Sequence, residues 1–144
     1  NCINRIFLIM EDNEDIALLS AGLSAEAKLS YQSDLENEDM EFVAEGFELL
    51  GEDGYSCVDC HKIRGEGGKK GPDLSDYMSR QWLIDFIGNS SHKRFYGEDN
   101  DRMPNFLDVS NEDGSIKPGK LDQKSVELIV DWLRRDYTKP KVHK

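Results

Sequence analysis

The chain has 144 residues, enough for one compact domain with a real core. Hydrophobic residues make up 38% and charged residues 33%, so the protein core should be small for the length unless another body helps to fill it. The formal net charge of −11 argues against nucleic acid and anionic lipid headgroups as partners and favours a basic protein surface.

The first apolar run, Ile6 to Met10, stops at Glu11 and falls far short of the ~20 residues of a membrane span. No signal-peptide pattern follows it, and the chain begins with Asn1. Cys2 stands apart from the two other cysteines and is assigned no function. In residues 13–31, Ile16, Leu19, Leu23 and Ala27 recur at helical spacing, which predicts one helix or two short ones. Residues 32–39 read as a polar linker. A second helix is predicted over 39–50, with Asp39 as its cap and Phe42, Val43, Phe47 and Leu50 as its apolar stripe. Gly46 is costly in mid-helix and suggests a close approach to another helix.

"SCVDCHK" follows at 56–62, then a loop rich in glycine. Gly67 and Gly68 lack the Gly-Lys-Ser/Thr ending of a phosphate cradle. Ser79 is placed to cap a helix in which Trp82, Leu83, Phe86 and Ile87 share a face and which Gly88 ends. Residues 89–120 form a long polar stretch, the kind of loop that carries function or lacks order. The last helix begins after Asp122, with Val126, Ile129, Val130 and Leu133 as its stripe and Arg134 and Arg135 at its negative end. Strand signals are nearly absent, and there is no internal repeat. The predicted class is all-α with long loops.

The chemistry of the chain centres on Cys57, Cys60 and His61. A structural zinc needs four ligands, and the motif offers three at most, with no second cysteine pair. A thioredoxin-like disulfide needs a strand before the motif, whereas a helix precedes it here. Haem uses every residue of the motif. Each thiol can add across one porphyrin vinyl group, and the adjacent histidine binds the iron. Such a haem c would also supply the apolar body that the composition lacks.

A second axial ligand would come from Met103, Met78, His92 or His143. Met103 precedes Pro104, which keeps it out of a helix and suits presentation from a loop; His92 is its main competitor. Methionine as sixth ligand raises the reduction potential relative to two histidines and suits one-electron transfer.

The order CVDCH, GPDL, a helix with Trp82, MPNF and a terminal amphipathic helix resembles class I, mono-haem cytochromes c over about residues 39–137. The resemblance implies a class I cytochrome c fold, with short helices around one covalent haem. It implies metal ligation by His61 and Met103. It implies that the carbonyl of Pro72 accepts a bond from His61, and that Trp82 lies near a haem propionate that Arg80 could also reach. Leu74 and Pro104, within GPDL and MPNF, join the haem-binding set. Gly46 and Phe47 resemble the pair where the first family helix crosses the last, near Trp132. On this reading residues 1–38 are a partly helical N-terminal extension, 39–137 the haem domain and 138–144 a basic tail.

The stretch HKRFYGEDNDRMPNF further resembles haem c domains fused to cytochrome b subunits of bacterial quinol-oxidising bc complexes. That implies an extracytoplasmic domain on the periplasmic side, with a membrane-embedded cytochrome b part upstream, and the non-Met start suits an excised domain. The expected function is one-electron transfer rather than enzymatic catalysis. A free periplasmic carrier, a peroxidase-like enzyme and a gas sensor are the alternatives, the last two requiring an open distal site. Redox partners with a basic docking face are expected, and Glu98, Asp99 and Asp101 in the acidic loop beside the haem edge would meet them.

Overall fold

The computed structural model describes residues 13–29, 39–68, 70–100 and 102–136. The expectations for Cys2, Met10, the linker at 30–38, Asp101, His143 and the basic tail lie outside them. The chain divides into two compact units, Asn1–Ser79 and Arg80–Lys144. The all-α expectation holds: four α-helices carry the described residues, with two very small hairpins between them.

In the first unit, helix α1 (Asn13–Ala27) packs along helix α2 (Met40–Leu50). A single helix forms across Gly22. The buried face of α1 is Leu18, Leu19, Gly22, Glu26 and Ala27, while Ile16 is exposed. The expected stripe is therefore rotated, and the glycines explain the rotation. A Cβ on Gly22 would lie 2.9 Å from the carbonyl carbon of Gly46, and one on Gly46 would lie 2.0 Å from the carbonyl oxygen of Leu18. The two backbones touch where neither has a side chain, and the faces centre on that crossing.

Gly46 is a close-approach glycine, as expected, and the backbone it meets is that of α1. Trp132 is 65% exposed. Asp39 makes no side-chain cap bond either; only its carbonyl takes part, accepting from the N–H of Val43. Below the helix pair, Leu19, Leu50 and Ile63 form a buried cluster joined by Phe47, Tyr55, Cys57, Val58 and Leu74.

The hairpins were not visible in the sequence. Strand β1 (Lys62–Ile63) pairs antiparallel with β2 (Glu66–Gly67), and β3 (Val109–Ser110) with β4 (Ile116–Lys117). Two-residue strands carry no alternation to read. Arg64 and Gly65, both at positive φ, close the first turn.

In the second unit, helix α3 (Arg80–Gly88) buries Trp82, Leu83, Ile84 and Ile87. Helix α4 (Gln123–Leu133) buries Val126 and Val130 completely, while Ile129 and Leu133 of its expected stripe stay exposed. Asp122 caps α4 as expected, accepting from the N–H of Ser125 at 2.7 Å, and hydrogen bonding to the Ser125 side chain and then to its N–H lowers the carboxyl pKa. Arg134 does not simply face the helix end: it is buried and paired with Asp136 at 2.9 Å.

Gly46→Ala would gain about 1 kcal/mol in helix propensity. It would also force two backbones apart, an overpacking that costs about 1–3 kcal/mol. The clash should win, and the variant should unfold at lower urea than the unmodified protein. An unchanged midpoint would show that the α1–α2 crossing is looser than described.

Candidate functional site

The motif turn begins at Ser56, whose left-handed backbone (φ 51°) reverses the chain after α2. Cys57–Asp59 then wind as a single 3₁₀ turn. The carbonyl of Cys57 accepts from the N–H groups of Cys60 and His61, at 3.2 and 2.9 Å. Both cysteines and the imidazole thus come from one short hydrogen-bonded element.

Cys57 is half-buried and packs on the apolar cluster. Burial pushes its thiol pKa up, which disfavours the thiolate at neutral pH. That argues against a nucleophilic redox role for this thiol. Cys57 is a free thiol.

The glycine loop folds back onto this turn. A Cβ on Gly67 would lie 2.3 Å from the carbonyl oxygen of His61, and one on Gly68 would lie 2.3 Å from that of Asp59. These glycines are places where only bare backbone fits. The N–H of Gly68 donates to Val58, and those of Lys70 and Gly71 donate to Cys60.

Gly71 lies against the imidazole itself: a Cβ there would be 2.5 Å from Cε1 of His61. The next residue, Pro72, presents its carbonyl oxygen 2.9 Å from Nδ1 of His61. A carbonyl only accepts, so Nδ1 carries the proton and Nε2 is left as the nitrogen able to ligate a metal. The Pro72 expectation is therefore met by the geometry. Leu74, also expected at the site, joins the apolar cluster, and its N–H donates to the carbonyl of Lys62.

The remaining candidates belong to the second unit. Met103 is half-buried, and its backbone is held at both ends. Its N–H donates to Oδ1 of Asn100 at 3.1 Å. Its carbonyl accepts from Nδ2 of Asn100 at 2.7 Å and from the hydroxyl of Ser90 at 3.0 Å. Ser90 is fully buried and also contacts Asn105. Ser90, Asn100 and Asn105 are residues that sequence reasoning missed; the only available signal was a polar cluster beside a Met-Pro pair.

Pro104 is exposed. Trp82 is buried, stacked on Phe86 at 4.9 Å and edge-on to Phe95 at 5.2 Å. Arg80 was expected to reach a propionate, but its guanidinium is paired with Asp131 at 3.0 Å and Glu127 at 3.7 Å. The Asp131 bond raises its pKa further. Of the competing ligands, His92 is exposed, and its Nδ1 accepts from the N–H of Arg94. Met78 sits in the first unit at a left-handed φ of 60°.

Two thiols on one turn, a histidine whose tautomer is fixed by a proline carbonyl, and an all-α frame define a small haem-attaching protein. A family described as Cytochrome c matches residues 43–135, most of the chain, and the protein belongs to that family. No match was found among curated proteins or solved structures. Membership brings a covalently bound haem c with its iron, and haem-mediated electron transfer as the function. The donor set fits the group: Cys57 and Cys60 would anchor it and His61 would ligate the iron through Nε2. The matched segment begins after α1, so that helix is an addition to it.

Gly71→Ala would drive a methyl group into the imidazole of His61 and break its bond to Pro72. The expected outcome is a markedly lower yield of haem-loaded protein, measured by haem absorbance per chain. A normal yield would mean that the ring can shift at no cost.

Proposed function

We propose that this protein carries single electrons outside the cytoplasm through a haem c ligated by His61 and Met103, as the haem c domain of a quinol-oxidising bc-type complex. The observation that carries the ligation is the backbone at Met103. Three hydrogen bonds from Asn100 and Ser90 hold an extended loop residue in one place, as a ligand without a covalent tether requires. The backbone of His92 is hydrogen-bonded too, but its side chain is exposed and its Nδ1 already accepts from the N–H of Arg94.

Bound haem supplies a one-electron redox couple. The protein's own residues do the rest. Pro72 orients His61 and keeps its proton on Nδ1. A thioether ligand would favour the reduced iron and raise the potential. Ligation by both His61 and Met103 would leave the iron no open position for bond-breaking chemistry. Membership of a bc-type complex is supported by the resemblance of HKRFYGEDNDRMPNF to such domains. Among the described residues no helix is long and apolar enough to cross a membrane, so on this reading the membrane part lies elsewhere.

The oxidised protein should show the weak far-red charge-transfer band of sulfur-ligated ferric haem, and Met103→Ala should abolish it. A high-spin ferric spectrum in the unmodified protein would overturn the ligation and favour an enzyme or sensor. Isolated from native membranes, the haem c should co-purify with b-type haem and quinol oxidation. Recovery free of both would make it a diffusible carrier.

The acidic loop is proposed as the docking face. Glu98 and Asp99 are exposed on the short turn Gly97–Asp99. Replacing Glu98, Asp99 and Asp101 by their amides should slow reduction of a basic redox partner at low salt and leave the rate at high salt nearly unchanged. Equal rates at low salt would rule out docking there.

A further inference from the structure

Helix α1 lies outside the segment that matches the cytochrome c family, yet it reaches the loop behind His61. A buried charged residue of α1 makes a polar contact there. Glu26 is a carboxylate with only 5% of its side chain exposed, in a chain whose other acidic residues mostly face water. Its Oε1 accepts from Nε of Arg64 at 2.8 Å, and its Oε2 accepts from the backbone N–H of Asp76 at 2.6 Å. Those two donors stand on either side of Gly71 and Pro72 in sequence. One carboxylate therefore ties together the start and the end of the loop whose carbonyl holds the imidazole of His61.

Both tied points are conformationally unusual. Arg64 and Asp76 adopt left-handed backbones, with φ of 52° and 55°. A non-glycine residue in that region is held there by its surroundings. Glu26 supplies part of that hold, and other contacts reinforce it. The guanidinium of Arg64 lies 3.9 Å over the ring of Phe47 on α2. Lys28, one turn end beyond Glu26, bonds the Asp76 carboxylate at 2.5 Å. Burying a carboxylate is costly unless it is paired and hydrogen-bonded, and here both oxygens are used.

We infer that Glu26 is a positioning residue for the proximal ligand: through Arg64 and Asp76 it clamps the 64–76 loop so that the Pro72 carbonyl stays on Nδ1 of His61. The inference rests on the proposed role of His61 as an iron ligand. A firm Nδ1–H···O bond makes the imidazole a stronger donor and stabilises the oxidised iron, which lowers the potential. Loosening the clamp should raise it.

The test compares Glu26→Ala with Arg64→Ala in the haem-loaded protein. Through-space charge alone predicts opposite shifts: losing an anion raises the potential and losing a cation lowers it. A loosened clamp raises the potential in both variants. The His61 Nδ1 proton, followed by NMR in the reduced protein, should exchange with solvent roughly tenfold faster in each, the scale of one weakened hydrogen bond. Opposite potential shifts with unchanged exchange would overturn the clamp, as would a lower melting temperature with neither readout moved. Arg64 is 62% exposed, so its variant carries the test if Glu26→Ala fails to fold. If the unmodified protein held no haem, the proposed function would fall; the clamp would then be judged by amide exchange at Gly71 and Leu74, faster in both variants if it is real and unchanged if it is not.

Discussion

The hydrogen bond between Nδ1 of His61 and the carbonyl of Pro72 is the constraint around which the first unit is built. An imidazole can ligate a metal through either nitrogen, and only a partner on one of them decides which. Proline suits the task because its ring fixes φ, while its carbonyl remains available as an acceptor. Presenting that carbonyl needs a chain that runs directly against the ring. Gly71 makes the approach possible, and Gly67 and Gly68 bring the chain back to the motif turn. The glycine-rich loop is thus shaped by contact with bare backbone and an aromatic ring, not by flexibility.

The same principle of close approach operates at the α1–α2 crossing, with a different result. Gly22 and Gly46 let two helices meet backbone to backbone. That contact places α1 close enough for a single glutamate to reach past α2 to the loop. A helix outside the matched family segment is in this way made part of the support for the site. Its packing on α2 and its polar reach to Arg64 and Asp76 depend on one another. A wider crossing would move the Glu26 carboxylate away from both donors.

The motif itself was legible in the sequence because it is local: Cys57, Cys60 and His61 sit within one turn, and their spacing answers to the cofactor alone. Met103 was singled out by its loop position before Pro104, whereas Pro72 could be assigned only through the family pattern. The helix around Trp82 and the Asp122 cap were also legible, since periodicity and capping act over a few residues. What could not be read depends on partners distant in sequence. Gly46 signalled a close approach but not its partner. Glu26 looked like one more surface acid on a helix, because nothing near it in sequence tells that Arg64 and Asp76 will fold over it. Ser90, Asn100 and Asn105 read as generic loop residues, although Asn100 and Ser90 hold the backbone of Met103 and Asn105 accepts from Ser90. Arg80, which the resemblance set near an anionic cofactor group, pairs with acids on α4 that lie about fifty residues away in sequence.

The two candidate ligands are therefore secured by different physics. His61 is part of a hydrogen-bonded turn that also carries both thiols, so covalent attachment and ligation reinforce one another. Met103 has no such tether. Its placement depends on Asn100, whose amide both donates to and accepts from the Met103 backbone. An amide side chain serves here because a carboxylate could only accept and a hydroxyl would not span both groups. Its bonds are neutral and individually modest, about 0.5–1.5 kcal/mol each. A ligand held this way is easier to displace than one held by thioethers and a backbone turn. On the proposed ligation, the bond from Met103 would be the first to yield to heat, denaturant or competing ligands, while Cys57 and Cys60 would keep the haem attached.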